Sequence, residues 1–209
     1  MCFSENVSLF AFIIGIWGSM MVYSLGKIYD KILGLFLAFV SSMQLIEFFL
    51  WRNQTCDDYN YFITMTGMIL NHLQPIVLGL LILWLNPTLS TQDTNTIFCI
   101  LFVYLCVFLP YSWQFMYDPQ CTLKNKNNHL DWKWNMKSYY FLAYSVFILA
   151  LFMLFYWFVP VYGLLFAIMS FISFATSVFI YNKEIGNMWC FYAVFFPILY
   201  YLFRIRVRP

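Results

Sequence analysis

Hydrophobic residues fall in long blocks along this chain, apolar on every face and separated by short polar or turn-forming stretches. The blocks run approximately from Val7 to Leu25, Ile32 to Trp51, Tyr61 to Leu85, Ile97 to Met116, Ser138 to Val159, Val161 to Tyr181 and Met188 to Phe203. Each approaches the roughly 20 residues that an α-helix needs to cross a bilayer core. Strands of a membrane barrel would instead read as short alternating segments. The pattern predicts an all-α, polytopic transmembrane helix bundle of about seven spans, one domain over residues 1–209, with essentially no β-structure. The stretch from Ser138 to Tyr181 is about twice a single span, so Pro160 is expected to mark a tight turn. Residues 117–137 form the one sizeable loop; its polar, Asn-rich character suggests a small surface lid, with a solvated connector as the simpler reading.

Composition strengthens this picture. Of 209 residues, 63% are hydrophobic and 10% charged, and the mean hydropathy is +0.74. Such a chain cannot cover its surface with polar groups, so lipid must solvate most of it. The bilayer is the expected partner. A net charge of +2 with no basic stripe argues against nucleic acid. The start, MCFSENVSLF, lacks the basic region of a secretory signal, so the first apolar block is expected to remain as a helix.

Seven spans place the two termini on opposite faces. Lysines and arginines divide evenly, so charge alone does not orient the chain. The sequons Asn6-Val7-Ser8 and Asn53-Gln54-Thr55, with Cys2, Cys56 and Cys121, fall on the amino-terminal face, and the Arg-rich tail falls opposite. Glycans and disulfides belong to the oxidising side. The expectation is a non-cytoplasmic amino terminus, a cytoplasmic carboxyl terminus and a disulfide between Cys56 and Cys121.

Candidate chemistry lies in the second and third spans. Glu47 is the acidic residue well inside a span, and an intramembrane carboxylate must face the bundle, be protonated or find a partner. Val40, Gln44, Glu47 and Trp51 recur at helical spacing on one face. In the third span Thr64, Gly67, Asn71 and Gln74 form a stripe bordered by His72. Pro75 frees the carbonyl of Asn71. The functional reading is a polar pocket lined by Gln44, Glu47, Trp51, Asn71, His72, Gln74 and Trp189; the bland one is helix-to-helix hydrogen bonding. A metal ion is the cofactor that Cys2, Glu47, His72 and Cys190 would hold if they converge. The alternative makes Cys2 and Cys190 packed thiols. Cys99 and Cys106, inside the fourth span, are expected to pack as small hydrophobes. No GxSxG, HExxH or P-loop motif is present, and no mid-span lysine offers a Schiff base.

Met1-Cys2-Phe3-Ser4, the run Gln44-Leu45-Ile46-Glu47 leading to Trp51, Pro75-Ile76 with Asn86-Pro87, and Gly186-Asn187-Met188-Trp189-Cys190-Phe191 together resemble a family of small, uncharacterised multi-pass membrane proteins that begin Met-Cys-Phe-Ser. The chain departs from that pattern at Glu5-Asn6 and at Phe48, where the family carries small residues and glycine. The resemblance implies that Cys2, Glu47, Trp51, Trp189 and Cys190 act together, and supplies no reaction. Three functions compete: a protein that binds or transports a small solute, proton or metal ion in the outer half of the bundle; a thiol- or metal-dependent membrane enzyme; and a structural subunit of a membrane complex.

Overall fold

The computed structural model describes residues 4–125, 128–136, 138–158, 160–181 and 191–206. Among them are seven α-helices: α1 (Glu5–Ser24), α2 (Ile28–Arg52), α3 (Asp58–Leu85), α4 (Thr91–Tyr117), α5 (Tyr140–Phe158), α6 (Pro160–Tyr181) and α7 (Phe196–Arg206). Five are long and apolar enough to cross a membrane: α1 to α4 and the stretch Tyr140–Trp157 of α5. The bundle's exterior is apolar as well, with Phe10, Phe62, Phe102, Trp113 and Phe171 each at least 64% exposed. Side chains of that kind on an outer surface suit lipid better than water.

Polar residues at the block boundaries start the helices. The Ser4 hydroxyl accepts from the Val7 amide at 3.4 Å, Asp57 accepts from the Asn60 amide at 2.9 Å, and Ser90 and Asp93 form a reciprocal capping box. Each satisfies amides that the first helical turn leaves unpaired. The Asp57 carboxyl is held below its ordinary pKa, first by that Asn60 amide and then by Asn53 and Thr55. Gly26, at φ +87°, makes the left-handed turn between α1 and α2 that a side chain would oppose.

Pro160 marks a turn, as expected. It opens α6, and a Cβ on Gly163 would sit 2.7 Å from the Tyr156 backbone, so the chain folds straight back on itself. The last block differs from expectation. Its described part is helical at 191–193, turns at 194 and 195, and resumes as the 11-residue α7. Pro197 explains the break, since it cannot donate to the carbonyl of Ala193. Pro75 and Pro110, in contrast, sit inside continuous helices.

Helices α1 and α2 approach closely through small residues. A Cβ on Gly15 would lie 2.3 Å from the Ser41 hydroxyl, and one on Gly34 would lie 2.8 Å from the Ser19 carbonyl. Without water to drive association, such backbone proximity is the main source of helix packing in lipid. One apolar core joins α2, α3, α4 and α5 around Phe36, Leu78, Ile82, Tyr104, Phe147 and Phe155. A second gathers Met43, Ile46, Leu50, Ile63, Met68 and Phe115 with Leu130, Trp132 and Trp134 of the long loop.

The chain directions sort the ends. Arg52 lies 3.5 Å from Glu5, setting the start of α1 beside the end of α2. At the opposite end Arg204 lies 3.5 Å from Asp30. Cys99 and Cys106 are exposed on α4, correcting their expected place in the core: at those positions the helix presents its outer face, where a thiol is apolar enough for lipid.

Candidate functional site

The site is built from the second core outward. Cys56 and Cys121 are joined by a disulfide with Cα atoms 5.6 Å apart, well inside the bridging range. It ties the α2–α3 turn to the loop before α5 and closes 65 residues, a constraint worth about 2–4 kcal/mol. Beside it, Asn60 binds the loop backbone in both directions: Thr122 donates to Asn60 Oδ1 at 3.0 Å, and Asn60 Nδ2 donates to the Thr122 carbonyl at 3.1 Å. The Thr122 amide is also 3.2 Å from Thr64 Oγ1, and Lys124 donates to Gln54 at 2.7 Å.

From this anchor the loop folds into a two-strand hairpin, Leu123–Lys124 against Leu130–Asp131, a small exception to the expected absence of β-structure. It then turns inward. Trp132 and Trp134 stack at 4.8 Å, are 3% and 0% exposed, and Tyr111 of α4 donates to the Trp134 carbonyl at 2.5 Å. The Trp134 ring meets Gly67 of α3, where a Cβ would stand 3.3 Å from its Cη2 atom, and Ile46 of α2 reaches the same glycine. Gly67 therefore makes room for the indole between the helices. The loop is a tethered lid driven into the bundle, and the solvated connector is excluded.

Directly beneath lie the predicted polar residues. Gln44 and Glu47 are 0% exposed, Gln74 1%, Asn71 4% and His72 7%, while Asn60 and Thr64 continue the α3 stripe upward at 0%. Ile46 packs on Gly67, so its neighbour Glu47 points about 100° further round α2. That direction is shared by Phe36, which meets Phe155 of α5 edge-on at 5.4 Å. Eleven residues outward of that contact on each helix, about 16 Å away, stand Glu47 and Tyr144. Tyr144 donates to Asn71 Oδ1 at 3.2 Å. Asn71 and Tyr144 are thus paired, and Gln44 and Glu47 are buried on α2. Gln44 and Glu47 are engaged in interactions of their own.

His72 borders this grouping, its ring 6.4 Å from that of Tyr144. It turns toward α4, with Nδ1 2.7 Å from the Ser112 hydroxyl and its ring against Phe108 and Tyr111 at 4.8 and 5.9 Å. The Tyr104 hydroxyl donates to the His72 carbonyl at 2.5 Å, next to the Asn71 carbonyl that Pro75 leaves without its helical donor. Among the described residues no three His, Cys, Asp or Glu side chains are grouped to hold a metal. Cys2, Trp189 and Cys190 lie outside the described residues. Trp51 is half-buried against the second core, with its indole N–H unpartnered among the described residues. Glu5 pairs with Arg52, and the Arg52 guanidinium lies 5.6 Å over the Phe48 ring.

Two features escaped sequence reasoning. The lid's tryptophans gave a signal only in their i, i+2 spacing. Asp30, assigned to a loop, is 1% exposed in the first turn of α2, where Tyr200 donates to its Oδ1 at 2.5 Å and Arg204 approaches. The Arg-rich tail was the available hint. No family model matches the chain, and no curated protein or solved structure matches it significantly.

Proposed function

We propose that this is a seven-span membrane protein, amino terminus on the non-cytoplasmic side, that binds a small solute in the polar layer beneath the lid. The observation that carries the reading is the burial of Gln44, Glu47, Asn71 and Gln74 inside the bundle, behind a loop anchored by a disulfide. A disulfide belongs to an oxidising compartment, which supports the orientation. Polar groups in a bundle interior cost stability unless paired, and Pro75 leaves the Asn71 carbonyl without its helical donor beside them.

Binding site and helix glue predict opposite effects of removing a polar group. Gln74 Nε2 is buried with no partner among the described residues. An unsatisfied amide of this kind costs about 1–3 kcal/mol, recovered when an apolar group of similar shape replaces it. Gln74→Met should therefore raise the thermal unfolding midpoint of the protein in lipid nanodiscs. A lowered midpoint would mean that Gln74 holds helices together, and the layer would be structural.

A further inference from the structure

We infer that the layer takes a small uncharged solute bearing carbonyl or similar acceptor oxygens, held between the indole N–H of Trp134 and the side-chain amide of Gln74; this rests on the binding reading above. The Trp134 edge that faces Gly67 carries Cη2 and Cζ2, at 3.3 and 3.9 Å from the position of a Cβ there. Nε1 continues that same edge of an indole, so the N–H is directed into the seam between α2 and α3. It is buried and has no partner among the described residues. Gln74 lies on the α3 face of Gly67, seven residues or about 10 Å deeper, and helical side chains lean toward the preceding turn, which brings its amide outward toward the indole. Its Nε2 is likewise buried and unpartnered among the described residues.

The two unpartnered atoms, Trp134 Nε1 and Gln74 Nε2, are neutral donors, and an indole cannot accept. A cation would find the wrong polarity in them. An anion would enter a layer with no lysine or arginine among the described buried residues to offset it. An uncharged acceptor satisfies both donors without transferring a charge from water. Asn71, between the two on the same face, has its Oδ1 occupied by Tyr144.

Unfolding midpoints of the nanodisc-embedded protein test this, since a ligand that binds only the folded state raises the midpoint saturably. Acetamide and N-methylacetamide should do so, whereas methylammonium chloride and sodium acetate at matched ionic strength should not. Trp134→Phe keeps a ring and removes the donor; Gln74→Met keeps volume and removes the amide. Each should raise the half-saturating concentration about tenfold, the loss of one hydrogen bond to a buried partner. A saturable rise with methylammonium or acetate that Gln74→Met abolishes would refute the uncharged class and leave the site standing. Absence of a rise with every probe, or variants that bind acetamide as the wild type does, would refute the inference. A lowered midpoint of ligand-free Gln74→Met would remove the site itself.

Discussion

Trp134→Ala is expected to destabilise the protein by about 3–5 kcal/mol, the range for removing a fully buried large aromatic. The indole fills the space that Gly67 leaves between α2 and α3, stacks on Trp132 and meets Phe115 edge-on at 6.2 Å. Removing it opens a cavity that neither helix can close, because their separation is set elsewhere along their length. The loss should be local before it is global. With the disulfide intact the lid stays tethered at Cys121, so the loosened segment is residues 122–134, and hydrogen exchange at the Thr122 and Lys124 amides should accelerate well before the helices open. Exchange at those amides matching the wild type, with an unchanged midpoint, would mean that the indole is not what seats the lid.

Gly34→Ala is the second large effect, with an expected cost of about 1–3 kcal/mol from overpacking. A methyl group there would stand 2.8 Å from the Ser19 carbonyl and 2.9 Å from the Tyr23 amide nitrogen. These are backbone atoms in the last two turns of α1 and cannot turn aside as a side chain can, so the helices must separate along the Gly15, Ser19 and Ser41 contact too. Gly18→Ala provides the comparison, since its Cβ would meet Ile198 and Pro197 side-chain atoms at 3.0 Å, which have more freedom to adjust. Midpoints measured side by side in nanodiscs should fall further for Gly34→Ala; equal falls would place the α1–α2 constraint elsewhere.

These contacts show what the sequence made legible. Long apolar blocks cannot be anything but helices in lipid, and the four polar residues Gln44, Glu47, Asn71 and Gln74 could be placed on inward faces from their spacing alone, because period fixes face. The Cys56–Cys121 bridge followed from two cysteines at span ends on one face. Period does not fix which neighbour a face meets. His72, about 140° round α3 from Gly67, reads from the sequence as a border residue, and the structure seats it against Ser112 and Phe108 of α4 and Tyr144 of α5. Trp132 and Trp134 sit in a loop with no periodicity, and their burial depends on Gly67 being small in a helix more than sixty residues away. Asp30 falls between the first two apolar blocks, where nothing in the sequence marks it as buried; the returning α7, with Tyr200 and Arg204, makes burial there tolerable. Cys99 and Cys106 were placed inside because thiols usually are, yet in lipid the outer surface is apolar too.

The most direct measurement of the central claim is an experimental density map of the protein in a lipid environment, read between α2 and α3 under the lid. Non-protein density within hydrogen-bonding distance of Trp134 Nε1 and Gln74 Nε2, weakened in Gln74→Met, is the predicted result. A map in which those two atoms bond to protein groups, with the helices closed on each other and no further density, would contradict it and leave the polar layer as the glue of the bundle.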